Sequence, residues 1–193
     1  MRMHYLILVR HSVPAVLPGT AAVEWRLSDA GRARAAELAE KLAVYTPSQI
    51  ASSDEPKARE TAEIIAERLG GVPVVSEPGL REHDRRGAPY FGDERAFQAT
   101  MARFFAAPEE LVFGCETAAQ ARARFTAAVS RIIARSAADR DIMVVTHGTV
   151  MALYLASTSG TGAVGDAYAI WREQALPCYA ALALPEMWLV VRG

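Results

Sequence analysis

Two stretches constrain the fold more than any others: Tyr5-Leu6-Ile7-Leu8-Val9 and Ile142-Met143-Val144-Val145 are apolar without a break and rich in branched side chains. A strand with one wet face alternates apolar and polar residues, so an unbroken run predicts a strand covered on both faces by helices. Each run is followed, one residue on, by a histidine: His11 after Arg10 and His147 after Thr146. Weaker strand patterns fall at 49–52, 72–76, 179–184 and 187–191. Pro185-Glu186 between the last two predicts a closing hairpin.

Helical periodicity fills the intervals. Ser28 is a candidate N-cap for a helix running to about Leu42, with Leu38 and Leu42 one turn apart. A second helix begins near Asp54 with Pro56 in its first turn, carries the stripe Ala58, Thr61, Ala62, Ile65 and Leu69, and stops at Gly70-Gly71. A third, 117–135, turns Ala121, Phe125, Val129, Ile132 and Ile133 inward, and a fourth starts at Gly148 and reaches about Ala156. Strands alternating with helices predict an α/β sandwich around a mainly parallel sheet, one domain over residues 1–193. The segment 83–114, with Gly87, Pro89, Gly92 and Pro108, reads as a loop-and-helix excursion over one end of the sheet, a lid or specificity element.

Composition narrows the classes of partner. A net charge of −1 argues against general nucleic-acid binding, yet leaves room for a small phosphorylated ligand held by a local cluster of cations. The two cysteines, Cys115 and Cys178, lie far apart and predict no disulfide scaffold, which fits a reducing compartment. The run 5–9 is too short to span a membrane and no small-residue cleavage site follows it, so the cytoplasm is the expected location.

In open α/β sheets ligands bind beyond the carboxyl ends of the strands. That rule singles out Arg10-His11-Ser12, Ser52-Ser53 and His147-Gly148-Thr149, where helix N-termini also favour an anion. Two of the four histidines occupy matching positions, which favours a functional role over a structural one.

These residues resemble the histidine phosphatase superfamily, the phosphoglycerate-mutase-like proteins. Leu8-Val9-Arg10-His11-Ser12 is similar to the family's Leu-Val-Arg-His-Gly signature, and the segment from Ser52 to Ala62 resembles its second block, with Ala58-Arg59-Glu60-Thr61-Ala62 matching Ala-x-x-Thr-Ala. Leu80-Arg81-Glu82 is similar to the block that carries the acid, and Val144-Val145-Thr146-His147-Gly148 to the last histidine block. The resemblance implies a three-layer α/β/α fold and a phosphatase that needs no cofactor and no metal. It implies His11 as a nucleophile that becomes phosphorylated, and Glu82 as the proton donor, whose pKa a phosphate dianion raises. Arg10, Lys57 and a protonated His147 hold the phosphoryl oxygens, with Ser12 and Gly148 alongside. The chemistry suits these groups: neutral imidazole is nucleophilic near neutral pH, and arginine forks two hydrogen bonds to phosphate where lysine offers a point charge. The implied partner is a phosphorylated small molecule or phosphoprotein.

The chain departs from the family pattern in places. Lys57 stands where arginine is usual. Arg59, the alternative, points about 200° around the helix from Lys57 and has Glu63 at i+4. Ser12 replaces glycine, and the stretch 13–20 lacks the Glu-Thr that usually follows the signature. Asp84 is the alternative acid. Arg81, Arg85 and Arg86 either attract substrate or form a solvated basic loop, His83 reads as a loop residue, His4 as packed beside the first strand, and Cys115 as structural. Three other functions stay open: a phosphoglycerate mutase, a phosphate-binding module without turnover, and, last, a metallohydrolase built from His11, Asp84 and His147.

Overall fold

A computed structural model describes residues 3–88, 91, 93–137, 139–158 and 167–193. A six-stranded sheet forms its middle layer. The strands are β1 (His4–Arg10), β2 (Pro47–Ser52), β3 (Val74–Ser76), β4 (Asp141–Thr146), β5 (Cys178–Leu184) and β6 (Trp188–Arg192). Their spatial order is β3-β2-β4-β1-β5-β6; the first four are parallel and the closing hairpin β5–β6 is antiparallel.

The unbroken apolar runs are explained by what covers them. Ile7 and Val9 of β1, with Met143 and Val145 of β4, pack on α1 (Asp29–Leu42) and α2 (Pro56–Arg68). Leu6, Leu8, Ile142 and Val144 face the other way, onto α3 (Glu94–Ala106), α4 (Ala118–Arg135), α5 (Gly148–Thr158) and α6 (Ala167–Glu173). Period-two alternation therefore sends every second side chain into a different core, and neither face needs polar residues. The result is the expected three-layer α/β/α sandwich. Among the described residues no helix is long and apolar enough to cross a membrane.

Local signals act where the sequence places them. The Ser28 hydroxyl accepts from the Gly31 N–H at 3.0 Å, capping α1, and Pro56 opens α2. Thr117 and Gln120 form a reciprocal capping box at α4. The strand expected over 72–76 is only Val74–Ser76, because Pro73 has no N–H to donate and meets β2 through its carbonyl, which accepts from the Ile50 N–H at 2.9 Å.

The excursion 83–114 contains the 13-residue helix α3, capped by Asp93; Pro89 and Gly92 lie outside the described residues. His83 lies in a loop, as expected, but is buried there between the rings of Phe104 and Phe113, with centroids 4.4 and 4.7 Å away. Its Nε2 lies 2.7 Å from the Glu116 carbonyl oxygen. Helix α6 carries no sequence signal strong enough to have been expected.

Candidate active site

Strand register builds the site. Arg10 pairs with Thr146 across parallel neighbours, so His11 and His147 leave adjacent strands at the same level. The His11 N–H continues the ladder onto the Thr146 carbonyl at 2.9 Å, and the two imidazole rings stand edge to face with centroids 5.0 Å apart. Ser52 pairs with Val145 from β2 on the other side of β4, which brings Ser53 alongside.

The His11 ring is held by its own backbone. Nδ1 lies 2.7 Å from the Ser12 carbonyl oxygen, and that acceptor requires Nδ1 to carry the hydrogen. Nε2 is then the atom with a free lone pair. The Ser12 N–H donates to Thr61 Oγ1 at 3.0 Å, and that hydroxyl donates to the Lys57 carbonyl at 2.7 Å, pinning the turn after β1 to helix α2. Thr61, read from sequence as one member of an apolar stripe, is thus a clamp.

His147 is fully buried; its Nε2 lies 2.9 Å from Ser53 Oγ and 3.5 Å from Glu55 Oε1. Burial, His147 and Lys57 push the His11 pKa well below 6.5, and burial together with Lys57 does the same to His147. Both shifts disfavour the imidazolium form, against which the phosphate charge would have to work to give the protonated His147 that the family resemblance implies.

Glu82 reaches the start of α5. Its carboxylate accepts from the N–H groups of His83 at 2.9 Å, Thr149 at 3.1 Å and Val150 at 3.3 Å. Burial opposes its ionisation, but Arg85, His147 and these N–H groups outweigh it and hold the pKa at about 2. The resting residue is a carboxylate.

Lys57 lies inside, only 5% exposed, and donates to the Ala22 carbonyl at 2.8 Å. Glu55, equally buried, forms an ion pair with it and also accepts from the Glu82 N–H at 2.9 Å. Arg59 is exposed and paired with Glu63. Arg10 donates to the Gln174 carbonyl at 2.7 Å and lies against Gly148, where a Cβ would come within 2.9 Å of the Arg10 Nε and push the guanidinium aside. The guanidinium of Arg85 lies over Phe97 and Phe113 and reaches the Thr149 hydroxyl at 3.3 Å.

Of the other acidic and basic candidates, Asp84 is paired with Arg86, and Arg81 with Asp54. Cys115 is exposed, with its Sγ on the Arg86 carbonyl. Among the described residues, buried polar atoms without a protein partner include Arg10 Nε, Ser12 Oγ, Arg85 Nε and His147 Nδ1. Unpaired donors buried so close to His11 are the expected mark of a pocket built for an anion. No three His, Cys, Asp or Glu side chains cluster as metal ligands among the described residues. Sequence reading placed Ser53 at a strand end of the site without giving it a partner, and assigned Glu55 no role. A buried glutamate looks like any surface glutamate until its lysine partner is placed.

A family model described as the histidine phosphatase superfamily, branch 1, matches residues 6–167. The chain belongs to this superfamily. Phosphoglycerate mutase-like protein 4 of Arabidopsis thaliana is 34% identical over 131 residues, 65% of this chain and 56% of the plant protein. The match thus spans little more than half of that relative's length. Among solved structures, mycobacterial hydrolase 1 aligns over 98% of both chains at 25% identity with a TM-score of 0.73. A mycobacterial glucosyl-3-phosphoglycerate phosphatase aligns over 94% of this chain and 91% of its own, at 26% identity and a TM-score of 0.70. The matched span of the superfamily model contains all seven site residues read from sequence: Arg10, His11, Ser12, Lys57, Glu82, His147 and Gly148.

Proposed function

We propose that this member of the histidine phosphatase superfamily hydrolyses phosphomonoesters without a metal, through a phosphohistidine on His11. The observation that carries the reading is the pairing of the two rings 5.0 Å apart, with His11 Nδ1 committed to the Ser12 carbonyl so that Nε2 is the available nucleophile.

The Nε2 lone pair forms a bond to phosphorus as the ester P–O bond breaks. Arg10, the Ser12 hydroxyl and His147 receive the equatorial oxygens, replacing water with fixed donors. The departing alkoxide needs a proton. Glu82 is ionised at rest, so the proton comes in with a phosphate monoanion or is drawn to Glu82 when the phosphate's negative charge raises its pKa. The same carboxylate then takes a proton from water as water attacks the phosphohistidine. The N–P bond breaks, its electron pair returns to Nε2, and inorganic phosphate leaves.

Hydrolysis of an aryl phosphate in excess chelator, lost in His11→Ala, is the expected result. Activity retained in that variant removes His11 as nucleophile. A second reading rests on the Lys57–Glu55 pair, which neutralises one cation of the site: a member that binds phosphate without turnover. Phosphate or vanadate binding with no hydrolysis across a broad ester panel would favour it. The structure gives no reason to prefer a mutase; conversion of 3- to 2-phosphoglycerate faster than phosphate release would do so.

A further inference from the structure

Arg10 belongs to two spaces at once. Besides the phosphoryl site it lines an open cavity of about 830 Å³ between α3 and α6, whose walls include Phe97, Gln98, Tyr168, Trp171 and Gln174. That volume lies in the range of whole-ligand sites, roughly 300–1,000 Å³. A three-carbon leaving group attached at the phosphoryl site leaves most of it unfilled.

The walls are aromatic. Tyr168 and Trp171 lie nearly parallel, 16° apart with centroids at 6.0 Å, and Phe97 meets Trp171 edge-on at 5.8 Å. All three are only half-buried. Arginines ride on the rings: Arg85 lies 5.3 Å from the Phe97 centroid and Arg172 lies 5.7 Å from that of Tyr168. Aromatic side chains grouped in a concave wall next to a reactive centre are what flat, polarisable ligands select.

The walls also carry polar groups, since Arg10, Glu94, Gln98, Arg172 and Gln174 all line the cavity. Both ends of the Gln174 amide are buried without a protein partner. Its Oε1 lies beside Gly148, and so beside Arg10, at the junction of the two spaces. The Gln98 amide oxygen already accepts from the Tyr168 hydroxyl at 3.3 Å. The Gln174 amide, at the junction with the phosphoryl site, can meet the edge of a ring or its linker.

The geometry points to a phosphomonoester whose alcohol carries a planar aromatic ring: the phosphoryl group sits at His11 and the ring lodges between α3 and α6 against Trp171. This rests on the phosphatase reading and specifies its substrate class. A nucleobase and a simple arene share the chemistry, and the choice of substrates separates them.

The test compares kcat/KM for adenosine 5′-monophosphate and 2-phenylethyl phosphate with glycerol 3-phosphate and glucose 6-phosphate. All four leave as alkoxides, so leaving-group acidity does not bias the result. At least one ring-bearing ester should exceed both controls by about ten-fold or more, and Trp171→Ala should lower it about 5- to 100-fold more than glycerol 3-phosphate, the size of a lost stacking contact. Trp171→Phe should retain the preference. If Trp171→Ala does not fold, Tyr168→Leu serves for the same comparison. Equal rates for all four esters, a preference for the glucose ester, or a common loss across them in the variant overturns the proposal. Should no ester turn over, the phosphatase reading fails by itself. Calorimetric titration of the His11→Ala protein with the same four esters still decides the pocket: tighter binding of a ring-bearing ester supports it and equal binding overturns it.

Discussion

The Glu82 carboxylate accepts the Thr149 N–H at 3.1 Å, so the proposed acid is docked at the first turn of the helix that follows His147. The contact fixes the carboxylate in place and helps keep it ionised until substrate arrives. Glu82→Gln retains an acceptor for the helix N–H groups but removes the proton carrier. We expect kcat/KM for an alkyl phosphate, which reports the steps up to loss of the alcohol, to fall about 10²–10⁴-fold, the usual contribution of a positioned acid. The kcat/KM of a nitrophenyl ester, whose leaving group needs no proton, should fall far less. Equal losses on both esters would remove Glu82 from proton transfer.

The pH profile should be acid-shifted. Because Glu82 is ionised at rest, kcat/KM should rise as pH falls through about 6, where the phosphoester gains its proton. The decline from protonation of His11 should come only well below 6.5, since burial, His147 and Lys57 depress its pKa. A rate that falls as pH drops through 6.5 would show that His11 is not held neutral in the pocket.

Stability should follow the same groups. The two histidines take up protons more readily in the unfolded chain than in the folded one, so their contribution is complete above 6.5 and is lost as pH falls toward their depressed folded values. Glu82 acts with the same sign between 4.5 and about 2, because its unfolded form protonates first. Urea midpoints that stay level as pH drops below 6.5 would contradict this.

The Glu55–Lys57 pair is buried and shared with the Glu82 N–H. Removing one partner strands the other charge, so Glu55→Ala should cost about 3–5 kcal/mol in urea unfolding. The double variant Glu55→Leu with Lys57→Met should recover most of that loss. A double variant as unstable as Glu55→Ala would show that the stranded charge is not the cause.

Much of this was legible in the sequence. The β1 and β4 runs stand out because both faces are covered, and the strand-end rule points to His11 and His147 from residue order alone. Helix periodicity separated Lys57, which lies inside, from Arg59, which pairs with Glu63 at the surface. What stayed hidden depends on distant partners. His83 is buried because Phe104 and Phe113 close around it, and those rings come from α3 and the segment after it. Glu55 matters through Lys57 and the Glu82 N–H, and residue type alone reports neither contact. Arg85 could not be told from Arg81 and Arg86 until its aromatic neighbours were in place.

The phosphoenzyme itself is the most direct test. The protein is mixed with substrate, quenched in base, digested and mapped by mass spectrometry. The account predicts one acid-labile phosphoryl group on the peptide bearing His11, formed within a turnover, consumed by water, and absent from His11→Ala. Steady hydrolysis by the wild-type protein with no phosphoryl group on that peptide at any time point would contradict it.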